Sequence, residues 1–180
     1  DRQVRLIADK MWGDCDGRSV THNSYGKGRV IWGPTLKEIL LAREVHPDFE
    51  FHSENEECRL DYLHRRTEDA DIYFVRNCTS RDVSVSAEFR VQDRLPEFWF
   101  PENGEMRECW IYGKSEHGIS LPLSLDANGS VFVVFRDSGV RPHLTAADRS
   151  IEVVDVRKDG VTAVISRNGR YHLKTTGGRQ

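Results

Sequence analysis

The chain has 180 residues, with 26 Lys and Arg against 29 Asp and Glu and a formal charge of -3 at pH 7. That balance is too even to announce a nucleic acid or an acidic membrane surface as partner, and no apolar run approaches the ~20 residues that span a bilayer. Four scattered cysteines, Cys15, Cys58, Cys78 and Cys109, form no C-x-x-C pair; they argue against a disulfide scaffold and predict packed free thiols.

In chain order, Val4, Ile7, Ala8 and Met11 fall at helical spacing over residues 1–12, and the acidic turn of Asp14, Asp16 and Gly17 closes that segment. SVTHNSYGKGRVIWG sets Gly26 and Gly28 between two β-capable runs, which predicts a hairpin. A phosphate loop would need the glycines to open a helix, and here a strand follows them. In PTLKEILLAREVHP, Thr35 and Glu38 stand at capping-box spacing, Leu36, Ile39, Leu40 and Val45 form one stripe, and Pro47 stops the helix.

Beyond His46 short apolar runs separated by Asn, Asp, Gly and Ser predict strands. ADIYFVRN, the turn CTSRD and the alternating VSVSAEFRV predict an antiparallel hairpin. EFWFPENGEMRECWIY predicts a second one turning at residues 101–104, and ISLPLSLDANGSVFVVFR two more strands around Asn128-Gly129. Strands at this spacing indicate a β-sandwich, so the fold class is mainly β with a short α/β part at the N-terminus. Residues 137–149 read as a loop. SIEVVDV, VTAVIS and RYHLKT read as a C-terminal meander with turns at Asp159-Gly160 and Asn168-Gly169. Three strands with one apolar face are barely stable uncovered, so the expectation is that a further segment of a longer protein covers them.

Few constellations carry chemistry. Asp14-Cys15-Asp16-Gly17 starts like a calcium loop, but Tyr25 stands where the bidentate Glu belongs, and a turn is the better reading. Seven histidines show no H-E-x-x-H and no pairing with Cys, so no metal or cofactor is expected in this chain. His64, Arg65 and Arg66 are a candidate anion site, whose plainer reading is ion pairing with Glu68, Asp69 or Asp71. Glu97, Glu102, Glu105 and Glu108 could supply a glycosidase pair, yet residues flanking a turn lack the burial that raises an acid catalyst's pKa. Trp99 and Trp110, on opposite arms of the second hairpin, could with Tyr112 present flat faces to a sugar; the plainer reading places them in the core. Asn77-Cys78-Thr79 and Asn128-Gly129-Ser130 match the glycosylation pattern and read as turns.

The ordered set YGKGRVIWG, TLKEIL, PDFEF, LHRRTEDADIYFVRN, FWFPENGEMRE and SVFVVFR resembles the region downstream of the catalytic barrel in α-L-rhamnosidase-like enzymes of glycoside hydrolase family 106. The resemblance implies a role rather than a site, because the family's carboxylates and assisting calcium belong to a (β/α)-barrel that this chain does not encode. It implies a partial α/β segment over 1–48, the tail of a flavodoxin- or amidotransferase-like domain, then an accessory sandwich over 49–136. Residues 137–180 would be a loop and meander leading to a further β-domain. The implied partners are the catalytic barrel and neighbouring β-domains of the parent polypeptide, with a glycan as a further candidate and neither nucleic acid nor membrane. The parent is expected to be an exported bacterial protein.

Overall fold

The computed structural model describes residues 2–137, 139, 141–148 and 150–175, and the chain divides into two compact units, Asp1–His46 and Pro47–Gln180.

In the first unit, α1 (Arg2–Trp12) is stopped by Asn23, whose side-chain amide donates to the carbonyls of Lys10 and Met11 at 3.0 and 2.9 Å. The acidic turn is held by Asp16, whose Oδ1 accepts the amides of Arg18, Ser19 and Val20. Those bonds, Arg18's first, hold its carboxyl below the usual carboxylate range. β1 (His22–Tyr25) and β2 (Gly28–Ile31) pair through a two-residue turn whose Gly26 has φ 59°, the left-handed region that glycine enters at no steric cost. α2 (Leu36–Leu41) opens on the expected capping box of Thr35 and Glu38. It ends well before Pro47, because Glu44 turns left-handed (φ 58°) and the Val45 amide returns to the Leu40 carbonyl. No described residue of this unit is buried.

The second unit is built on two antiparallel sheets. One orders β3 (Phe49–His52), β6 (Val83–Phe89), β10 (Ile119–Leu125) and β9 (Gly113–Lys114). The other orders β4 (Leu60–Arg66), β5 (Ala70–Asn77), β11 (Ser130–Arg136), β7 (Leu95–Trp99) and β8 (Met106–Glu108). The core forms where Val83, Val85, Ala87 and Phe89 of β6 and the alternate residues of β10 meet Tyr73, Val75, Val131, Val133 and Phe135. Period-two burial on β6 and β10 therefore gives each strand one dry face.

Sequence reasoning paired β5 with β6, and the structure corrects this: they lie in opposite sheets, each hydrogen-bonded to different neighbours, and face each other across the core. The turn between them is a corner that crosses the sandwich. β10 and β11 lie in opposite sheets in the same way, whereas β7 and β8 form the predicted hairpin, Trp99 facing Met106. The C-terminal meander is also corrected. β13 (Ile151–Val156) and β14 (Val161–Ile165) pair, but β15 (Leu173–Thr175) joins β12 (Leu144–Ala147), a strand inside the expected loop. Leu144 is fully buried and exchanges backbone bonds with Trp110 and Tyr112, which fixes β12 on the sandwich.

Candidate functional site

His64 lies on β4 with each ring nitrogen facing a carboxylate: Nδ1 is 2.9 Å from Asp48 Oδ2 and Nε2 is 3.0 Å from Asp71 Oδ1. The imidazole stacks on Tyr73 at 3.9 Å, and the Tyr73 hydroxyl donates to Asp48. Burial first, then the Asp48 charge, pushes the Tyr73 phenol well above its usual range, so it stays a donor. Arg90 pairs with Asp48, and Arg66 and Arg94 approach buried Asp71 at 3.5 and 3.7 Å. Arg65 alternates onto the opposite face of β4 from His64 and Arg66. His64 and Arg66 of the predicted basic cluster are thus engaged by the protein's own acids. Asp71 was foreseen; Asp48, which precedes β3, was not. The network joins the start of one sheet to the edge of the other.

The three aromatic candidates do not share a face. Trp99 lies on the outer side of its sheet, its Nε1 donating to Glu97 at 3.0 Å, with the Arg136 guanidinium 5.4 Å from the ring centre. Tyr112 is core, 1% exposed and stacked on His143 at 3.9 Å; burial raises its phenol pKa. Trp110 lies beyond the end of β8, with Arg141 4.8 Å from its ring, and lines a cleft of about 760 Å³. Phe98, Phe100, Arg107, Glu152 and, from the alternating strands, Ser84, Ser86 and Ser124 also line it. Arg107 is fixed between Glu105 (2.5 Å) and Glu152 (2.8 Å), and no local pattern announces the second pair because Glu152 lies 45 residues beyond Arg107.

Three of the four hairpin acids are committed to arginines, Glu97 to Arg136 at 3.0 Å, Glu108 to Arg141 at 2.8 Å and Glu105 to Arg107, while Glu102 stands exposed in the turn. The Arg107 hydrogen bond holds Glu105 below the usual carboxylate range, the opposite of what a general acid requires. The four thiols are free, and burial pushes Cys109 up to about 12, far from a nucleophile's range. Among the described residues no group of three or more His, Cys, Asp or Glu could hold a metal ion.

Comparison with known proteins places this geometry. A Formosa agariphila protein described as "Putative beta-glucuronidase" is 28% identical over 154 residues, 84% of this chain and 12% of that protein. The solved rhamnosidase from Novosphingobium sp. PP1Y superposes with a TM-score of 0.72 at 31% identity, covering 85% of this chain and 14% of that one. The chain therefore spans less than a sixth of either relative's length. The family model described as alpha-L-rhamnosidase, of glycoside hydrolase family 106, matches residues 1–113, and the chain belongs to that family.

Proposed function

We propose that this chain is a non-catalytic supporting segment of a larger bacterial α-L-rhamnosidase-like glycoside hydrolase, packing against the catalytic barrel and neighbouring β-domains. One observation carries the reading. Of nineteen exposed large hydrophobic side chains among the described residues, twelve fall in residues 2–46, where nothing is buried. A segment written with Val4, Ile7, Met11 and Leu36 on its surface is built to fold against another body. The engagement of Glu97, Glu105 and Glu108 by arginines supports the same reading. Any calcium that assists catalysis then belongs to the barrel, and the parent is exported. The test is turnover of an aryl α-L-rhamnoside by this chain and by the uncut polypeptide. Activity in the uncut polypeptide alone supports the reading; turnover by the isolated chain contradicts it.

A second reading, a carbohydrate-binding module, is favoured by one feature: Trp110 lines a cleft edged with serines and a fixed arginine. Calorimetry with rhamnose-containing oligosaccharides separates the two. Heat lost in Trp110→Ala but kept in Trp99→Ala would establish binding in the cleft.

A further inference from the structure

The outer faces of the two sheets are written in different chemistries. On the four-stranded sheet β6 and β10 turn Ser84, Ser86, Glu88, Ser120, Pro122 and Ser124 outward. On the five-stranded sheet the registers put Leu63 opposite Phe74, Phe74 opposite Phe132, Phe132 opposite Trp99 and Trp99 opposite Met106. Five apolar side chains, one from each strand, thus stand in a single row about 19 Å long at ~4.8 Å between strands. Leu63 is 54% exposed and Met106 63%, while the three aromatics between them are half-buried. In the next row Ile72 is half-buried and Val134 fully covered, and Arg65, Glu97 and Glu108 bound the apolar strip.

We infer that this row is the seat of another domain of the same polypeptide, which meets it with an apolar strip of its own. The inference rests on the supporting-segment reading and names the surface which that role would use. A saccharide is a poor occupant: the only side-chain donor in the row is the Trp99 indole N–H, already given to Glu97, and Arg136 lies over its ring. Sugar hydroxyls laid there would lose water without gaining partners. The length of the relatives argues for a partner in the same chain, since this region is 12% and 14% of theirs and most of such a polypeptide lies elsewhere. A tethered domain is present at high effective concentration, so a patch too small for a free dimer suffices. Aromatic and Met side chains are also those enriched where proteins pack together.

The test is thiol labelling of Leu63→Cys and Met106→Cys, each in the 180-residue chain and in the uncut polypeptide. His52→Cys on the polar sheet is the reference, and peptide mass spectrometry resolves each new thiol from the native four. The expected result is that Cys at 63 and 106 labels at least about tenfold more slowly in the uncut polypeptide than in the isolated chain, while the reference changes little. Equal rates in both would overturn the inference. Protection already present in the isolated chain, and growing with its concentration, would assign the face to a second copy and overturn it too. Turnover of a rhamnoside by the isolated chain would instead sink the supporting-segment reading without altering these rates, so the two failures are distinguishable.

Discussion

The Asn77 side-chain amide donates to the backbone carbonyl of Asp126, 49 residues further on, at 2.8 Å. It also donates to the Arg81 carbonyl at 2.7 Å, and its own carbonyl accepts the amide and hydroxyl of Thr79. Asn77 is wholly buried, and the two crossings of the sandwich, after β5 and after β10, meet at this one side chain.

Asn77→Ala leaves the Arg81 and Asp126 carbonyls without that donor in a buried corner. The expected loss is about 2–4 kcal/mol, read as a lower urea midpoint at unchanged slope. Because Asn77 is buried, no glycan should be found on it in a chain secreted from a glycosylating host, although its sequence pattern permits one.

His64→Ala removes the imidazole between Asp48 and Asp71 and leaves Asp71, 3% exposed, to Arg66 and Arg94 at longer range. Losing a partner of a buried acid costs on the order of 3 kcal/mol, and the loss should fall chiefly between β3 and β4. Amide exchange checks this: faster exchange in Phe49–His52, with β10 and β11 protected, is expected.

Thr35→Ala tests the capping box of α2. The amide and hydroxyl of Thr35 hold Glu38 below its ordinary value of 4.5. A carboxyl whose folded pKa is depressed contributes stability above its unfolded pKa, and that contribution is lost as pH falls through the folded one. Protection of the Leu36–Leu41 amides, taken as exchange relative to the intrinsic rate at each pH, should therefore fall on acidification below about pH 4.5 in the parent, and Thr35→Ala should lower it already at neutral pH with a flatter profile.

Cys109, fully enclosed and with a pKa of about 12, should resist iodoacetamide at pH 8 until the sandwich unfolds. Modification of Cys109 at the rate of Cys15 in the native protein would mean that β12 does not cover the core as described.

What the sequence made legible follows from range. Alternation over 83–91 and the capping box over 35–38 are local signals, and both elements stand where their residues place them. Which strands pair is not local: ADIYFVRN and VSVSAEFRV look like hairpin arms because a five-residue polar turn joins them, and only Asn77's buried bonds reveal a crossing. β12 was missed because its weak pattern, Leu144–Ala147, is held by backbone exchange with Trp110 and Tyr112. The basic run HRR predicted ion pairing but not Asp48, which lies 16 residues before its histidine. On the polar face of 83–91, Ser84 pairs with Ser124 of β10 at 3.0 Å, and both help line the cleft.

The central claim, that the bond-breaking groups lie elsewhere in the parent polypeptide, is tested most directly by Glu97→Gln, Glu102→Gln, Glu105→Gln and Glu108→Gln, made singly in the uncut enzyme and assayed for kcat/KM on an aryl α-L-rhamnoside. The account predicts that each variant stays within about threefold of the parent. A loss of about a thousandfold in any one of them, with the fold intact, would contradict it.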